Sequence, residues 1–148
     1  MTTNMSITYE EWSKINTNIV PLVRSLKSSL PEQYIGFYLH KAFGDEVEYQ
    51  KQFDWLGRRS LDIYIPSLQL AIEYDGEYYH RHTSSTDNQK TSLCRSHDIY
   101  LIHIQEMKAT QEKSRKRNVV SYYYEKNYKN IDIAIQSLCG LINKKYDT

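Results

Sequence analysis

Two strand-like segments joined at Pro66 and Ser67 constrain the fold of this chain more than any other part of its sequence. Residues 61–65 (LDIYI) and 70–75 (LAIEYD) are rich in β-branched and aromatic residues, and a proline-containing turn separates them. Successive side chains of a strand point to opposite faces. Asp62 therefore lies on one face of the first strand, and the other face carries Leu61, Ile63 and Ile65.

The second strand brings two further acids to the face that carries Asp62. Ala71, Glu73 and Asp75 share one face of this strand, opposite Leu70 and Ile72. A two-residue loop at positions 67–68 would place Asp62 opposite Glu73, and a four-residue loop would place it opposite Asp75. Either register predicts three carboxylates on one side of a β-hairpin.

Carboxylates this close repel one another, and burying them without compensation is costly. A divalent cation resolves the conflict, and hard oxygen ligands without soft ones suit Mg²⁺ or Mn²⁺. Such an ion can lower the pKa of bound water and neutralise charge on a phosphate. The alternative is a solvent-facing sheet surface on which Asp62 and Glu73 pair with Arg58 or Arg59. The spacing alone leaves both interpretations open.

The remaining pattern predicts helices and strands in alternation. A helical pattern runs from Tyr9 to about Leu30 and is interrupted by Pro21. A second helix begins at Ser29 or Leu30, with Pro31 in its first turn, and ends at Gly44. Extended structure follows between Val47 and Trp55, and Gly57 marks a turn. Beyond the hairpin, the pattern predicts a helix over 87–97, capped by Thr86 or Asp87, a buried strand over 100–104, and a helix from about 131 to 141.

This order predicts an α/β sandwich in which helices flank a central mixed sheet of four strands. The 148 residues fit one domain, with a core at about 29–105, an N-terminal helical extension at 7–28 and a basic, tyrosine-rich C-terminal extension at 106–148. Cys94 and Cys139 lie far apart without metal-ligand spacing, so neither a disulfide nor a zinc site is expected. The start of the chain carries no apolar leader, and no run approaches a membrane span, so we expect a cytoplasmic, intracellular protein without a membrane partner.

The hairpin and its surroundings resemble the PD-(D/E)xK nuclease superfamily. Within it, the branch of the very-short-patch mismatch repair endonucleases and the EDxHD homing endonucleases is the most similar. The resemblance covers roughly residues 29–105, in the family's order. It rests on the segments 29–32 (SLPE), 52–53 (QF), 62–66 (DIYIP), 72–76 (IEYDG) and 101–104 (LIHI), together with His80, Asp87 and Lys90.

The resemblance implies a restriction-endonuclease-like fold and a metal-dependent DNA endonuclease that uses Mg²⁺, or Mn²⁺, on duplex DNA. It implies that Asp62 and one of Glu73 or Asp75 hold the metal, with the Tyr74 carbonyl completing the coordination sphere. The residues implied to assist are His80 as the general acid or base, Glu32 reaching the metal from the helix layer, Lys90 contacting the scissile phosphate, and Asp87 orienting His80 or Lys90.

Two departures from the family pattern limit what it implies. Asp75 occupies the place of the superfamily's lysine, and Leu61 stands where proline is usual. The repair enzymes carry His at the position of Asp75 and zinc-binding cysteines that this chain lacks, so mismatch specificity is not implied. A catalytically degraded nucleic-acid-binding or assembly module and an RNA-cutting nuclease therefore stay open, as does assembly into a homodimer or larger complex.

Each supporting residue also has a structural interpretation. Glu32 suits the positive end of its helix, His80 suits an exposed loop that it shares with His82, and Asp87 with Lys90 suits an ion pair on a helix surface. Because the formal net charge is only +1, DNA binding requires local positive clusters. The candidates are three arginines flanking the carboxylates, Arg58, Arg59 and Arg81, and a basic run, Lys113, Arg115, Lys116 and Arg117. That run is either a solvated surface or a phosphate-tracking surface followed by the stacking rings of Tyr122, Tyr123 and Tyr124.

Overall fold

The computed structural model describes residues 8–13, 29–75, 84–108, 110, 112–113, 115–124 and 130–146. The helices described are α1 (Tyr9–Ser13), α2 (Leu30–Phe43), α3 (Ser84–Ser96) and α4 (Ile131–Tyr146). The strands described are β1 (Glu48–Lys51), β2 (Leu61–Ile65), β3 (Leu70–Asp75), β4 (Tyr100–Met107) and β5 (Val119–Tyr123). Among these helices, none combines the length and the apolar composition that crossing a bilayer requires.

The strands form one mixed sheet in the order β1-β2-β3-β4-β5. The first three pair antiparallel, and β4 and β5 join parallel. The predicted α/β class with a mixed sheet flanked by helices is confirmed, but the sheet has five strands rather than four. The additional strand is β5, which the sequence analysis treated as part of a tyrosine-rich extension. Its β-branched and aromatic residues favour a strand, but the basic run before it obscured the pattern.

The boundaries of α2 follow the predicted signals. Ser29 caps the helix, with the Glu32 N–H donating to Ser29 Oγ at 3.3 Å, and Pro31 lies in the first turn. The helix ends at Gly44, whose φ of +71° is a conformation that glycine adopts without steric cost. In contrast, α3 begins at Ser84 rather than near Asp87. Short polar residues suit both a cap and a first turn, so the sequence did not fix that boundary.

Apolar side chains cover both faces of the sheet. One face packs against α1, α2 and α4 through a cluster that includes Trp12, Leu39, Ile72 and Leu138. The other face packs against α3 in a smaller cluster formed by Leu56, Leu61, Tyr64, Ala71, Cys94, Ile99 and Leu101. Leu61 therefore packs on the opposite face from Ile63 and Ile65, whereas strict alternation predicted one face for all three. Leu61 is the first residue of β2 and lies beside the turn that carries Leu56. Helix α3 thus covers the face of β3 on which Glu73 lies.

Both predicted extensions contribute to this core. Tyr9 and Trp12 of α1 are buried, as are six apolar residues of α4. Asp132 in the first turn of α4 accepts the Tyr9 N–H at 3.0 Å and the Tyr34 hydroxyl at 2.5 Å, which ties α1 and α2 to α4. The predicted interruption at Pro21 lies outside the described residues.

Candidate active site

The β2–β3 hairpin holds Asp62 and Glu73 side by side. Ile63 pairs with Ile72, and continuing this register places Asp62 opposite Glu73. The Asp62 N–H donates to Glu73 Oε2 at 3.2 Å, and the Tyr74 N–H donates to Asp62 Oδ2 at 2.9 Å. Backbone and side chain together therefore lock this acid pair.

The pair is not part of a solvent-facing surface. Glu73 is only 5% exposed, and Asp62 is partly buried. Arg58 is exposed, and Arg59 donates to the Leu56 carbonyl at 3.2 Å and to Gln89 Oε1 at 3.1 Å rather than to either acid. These positions contradict the alternative in which the carboxylates simply pair with arginines on a wet sheet face.

Burial makes both carboxylates hard to ionise. It raises the pKa of Asp62 to about 6, and the negative charge of Glu32 adds to this rise, while hydrogen bonds from Glu73 and the Tyr74 N–H and the charge of Lys90 oppose it. Burial also raises the pKa of Glu73 well above its ordinary value, and the charge of Asp62 adds to the effect. The site is therefore one in which a proton or a cation between the two acids lowers the free energy.

Lys90 brings a cation to this pair from α3. Its Nζ forms a hydrogen-bonded ion pair with Glu73 Oε1, and its side chain is only 15% exposed. Position 75 of β3, where the resemblance noted in the sequence implies a lysine, holds Asp75. In this chain a lysine reaches the acids from the helix that covers the sheet instead.

Glu32 approaches from the start of α2 and is held by Gln50. Gln50 Nε2 donates to Glu32 Oε2 at 3.0 Å, and Gln50 Oε1 accepts the Ser60 hydroxyl at 3.1 Å. Gln50 has a φ of +52°, which is uncommon for a residue other than glycine. Such conformations persist where the surroundings over-determine them, often at functional sites. Gln50 was not predicted as a site residue, because its role depends on backbone geometry that the sequence does not reveal.

Asp75 is engaged separately from the other two acids. It lies on the same face of β3 as Glu73, but its Oδ2 contacts His103 Nδ1 at 2.9 Å, and His103 Nε2 contacts Thr91 Oγ1 at 2.9 Å. Asp75 is 8% exposed and His103 is 4% exposed. No role was predicted for His103 or Thr91 from the sequence. The available signal was a single imidazole inside the otherwise apolar segment 100–104.

Several of the other predicted residues lie outside the part of the chain that the structure describes. His80, Arg81 and His82 lie outside the described residues, and Asp87 lies in α3 with its side chain outside the described part. Tyr74 directs its hydroxyl to the opposite face, where it bonds Glu106 Oε2 at 3.0 Å and the Tyr122 hydroxyl at 2.7 Å.

The basic run occupies the connection between β4 and β5. Lys113 lies over the ring of Tyr123 at 5.2 Å, and Arg115, Lys116 and Arg117 are exposed. The prediction of a stacking role is wrong for Tyr122, which is 2% exposed and belongs to the core, because alternation along β5 turns it inward. Tyr124 is 52% exposed and stays accessible.

Asp62, Glu73 and Asp75 lie on one side of the hairpin, as predicted, and Asp62 faces Glu73 rather than Asp75. No group of three or more His, Cys, Asp or Glu side chains within the described ranges is arranged to hold a metal ion. Mg²⁺ is commonly bound through one or two carboxylates, with water and substrate phosphate oxygens supplying the other ligands. The hard oxygens of Asp62 and Glu73 fit that requirement, whereas Asp75 is occupied by His103.

Comparison of the chain with protein-family models, with curated proteins and with solved structures finds no match.

Proposed function

We propose that this protein is a Mg²⁺- or Mn²⁺-dependent endonuclease that hydrolyses phosphodiester bonds of duplex DNA on a restriction-endonuclease-like fold. The observation that carries the proposal is the buried Asp62–Glu73 pair with Lys90 bound to it. A partly compensated acid pair of this kind opposes folding. Well-packed apolar residues in the place of buried charged groups often make a fold equally stable or more stable. Perturbed carboxylates with a specific charged partner are typical of functional sites.

Each residue of the cluster has a distinct task in this proposal. Asp62 and Glu73 hold the cation, which supplies positive charge where a phosphate group accumulates negative charge. Lys90 balances the charge of the two acids before substrate binds and contacts the scissile phosphate when it arrives. Glu32, oriented by Gln50, adds an acceptor from the helix layer. His80 is the proposed general acid or base, from the segment that follows β3.

Local charge supports a nucleic-acid substrate, although the formal net charge of +1 does not. The basic run Lys113, Arg115, Lys116 and Arg117 is exposed in the β4–β5 connection. Exposed cations of this kind bind phosphates without reading the base sequence. We therefore assign the run to backbone contacts that orient the duplex.

A supercoiled-plasmid assay with Mg²⁺ or Mn²⁺ tests the proposal. Wild type should nick or linearise the plasmid, EDTA should stop the reaction, and Asp62→Asn and Glu73→Gln should reduce the rate to background. Asp54→Asn is the matched control, because Asp54 is an exposed acid in the connection before β2. Cleavage that survives Asp62→Asn, or that persists in EDTA, would contradict the proposal.

One observation favours a second candidate, a nucleic-acid-binding module without catalysis. Glu73 is already paired with Lys90, and within the described residues the acids do not form a three-ligand group. Retained DNA binding without cleavage under any metal would support this module. Parallel reactions on duplex DNA and on RNA of the same sequence distinguish the DNA-cutting from the RNA-cutting enzyme.

A further inference from the structure

A chain of hydrogen bonds connects α3 to the sheet one residue after Lys90. Thr91 Oγ1 lies 2.9 Å from His103 Nε2, and His103 Nδ1 lies 2.9 Å from Asp75 Oδ2. The imidazole is 4% exposed. His103 of β4 is the register partner of Glu73 of β3. Neighbouring residues of the helix, Lys90 and Thr91, therefore contact neighbouring residues of the sheet, Glu73 and His103.

We propose that His103 is a positioning residue that orients α3 and so holds Lys90 Nζ on Glu73. The consequence for cleavage rests on the proposed function, whereas the orientation of Lys90 does not. The apolar contacts between α3 and the sheet, through Cys94, Ala71 and Leu101, are not directional, so hydrophobic burial alone specifies the orientation of the helix only weakly. A hydrogen bond requires a defined distance and angle, so the contact from Thr91 to His103 selects one orientation of the helix.

Asp75 completes this device by orienting the imidazole. A neutral ring that donates its Nδ1–H to Asp75 presents Nε2 as an acceptor to the Thr91 hydroxyl, which satisfies both buried ring nitrogens. The same ring turned over would lose both contacts. This gives Asp75 a task that does not require it to bind metal and explains its separation from the Asp62–Glu73 pair.

Matched substitutions at Thr91 test the inference without touching the acid pair. Thr91→Val removes the hydroxyl and keeps the shape of the side chain, and Thr91→Ser keeps the hydroxyl. The first measurement is NMR of ¹⁵Nζ-labelled lysine in the metal-free protein, with Lys90→Arg used to assign the Lys90 signal. We expect the Nζ protons of Lys90 to exchange at least about tenfold faster in Thr91→Val than in wild type or in Thr91→Ser.

The second measurement is single-turnover cleavage at saturating DNA. Misplacing a catalytic group by about 1 Å can cost on the order of a hundredfold in rate. Thr91→Val should therefore lower the chemical rate about tenfold to a hundredfold at unchanged DNA affinity, with recovery in Thr91→Ser. His103→Gln, whose amide can reach Thr91, should retain more activity than His103→Asn, whose amide reaches only towards Asp75.

The outcomes separate the two proposals. Wild-type exchange at Lys90 in Thr91→Val, with a lower melting temperature as the only change, would overturn the positioning role and leave a structural one. Faster Lys90 exchange in Thr91→Val, together with a wild-type protein that cuts neither DNA nor RNA, would support the positioning role and contradict the proposed function. If Thr91→Val fails to fold, His103→Asn replaces it as the variant that loses the contact with Thr91, and His103→Gln serves as its control. Faster Lys90 exchange in His103→Asn than in His103→Gln supports the positioning role, and wild-type exchange in both variants overturns it.

Discussion

Replacing Asp62 by Asn should stabilise the metal-free protein while abolishing cleavage. The rise of the Asp62 pKa from 3.8 to about 6 means that the ionised carboxylate opposes folding. One pKa unit corresponds to about 1.4 kcal/mol, so the full cost is about 3 kcal/mol. Asn keeps the acceptor for the Tyr74 N–H and can donate to Glu73. Because Asp62 is only partly buried, we expect a gain of about 1–3 kcal/mol in the free energy of unfolding.

The sign of this effect depends on pH in a defined window. The folded state binds the Asp62 proton more tightly than the unfolded state does. The stability of wild type due to this group therefore falls as pH rises from about 4 to about 6 and is constant above that range. The advantage of Asp62→Asn should be full at pH 7.5 and absent near pH 4.

Urea unfolding in EDTA at both pH values measures this advantage, with Asp54→Asn as the exposed control. A lower stability of Asp62→Asn than of wild type at pH 7.5, or an equal gain at the two pH values, would refute a destabilising role for the ionised Asp62 carboxylate. A confirmed gain together with lost cleavage would show that the carboxylate is retained at the expense of stability.

Four further predictions concern the cation, the metal, the proposed acid or base, and DNA binding. In urea unfolding at pH 7.5, Lys90→Met should lower the free energy of unfolding by about 3–5 kcal/mol, because it leaves Glu73 buried without its cation. The loss should be smaller at lower pH, where Glu73 is protonated. Lys90→Arg, which keeps the positive charge, is the control. Millimolar Mn²⁺ should raise the melting temperature of wild type and not of Glu73→Gln, since a ligand of the native state stabilises it by mass action. His80→Ala should slow single-turnover cleavage by about 10²- to 10⁴-fold, whereas His82→Ala should have little effect. Neutralising the basic run should weaken DNA binding equally across sequences and flatten its salt dependence by about one unit of slope per lost phosphate contact. The residues changed together in that experiment are Lys113, Arg115, Lys116 and Arg117.

The parts of the fold that were predictable are those encoded locally. The cap at Ser29 and the stop at Gly44 depend on neighbouring residues, so the limits of α2 follow from the sequence. The hairpin is also local, and period-two alternation is enough to place Asp62 and Glu73 on one side of it. Of the two registers considered, the one that pairs these two acids is observed.

The contacts that were not predictable join distant parts of the chain. Alternation assigns Asp75 to the same face as Glu73 but does not reveal that a histidine 28 residues away engages it. The strand β5 was hidden because its tyrosines suit a wet stacking surface as well as a half-buried strand. Whether Tyr122 points inward depends on its pairing with β4, which the local sequence does not specify.

The parallel pairing of β3 with β4 also sets an order in which the acid pair and its cation come together during folding. Asp62 and Glu73 are 11 residues apart and meet through a local hairpin, which forms within microseconds. Lys90 arrives only when α3 docks, and that docking accompanies a crossover to a parallel strand, a slower, less local event. Two carboxylates therefore approach each other before their cation is in place. Protonating them should speed this early step, so we expect the folding rate constant to increase as pH falls towards 5.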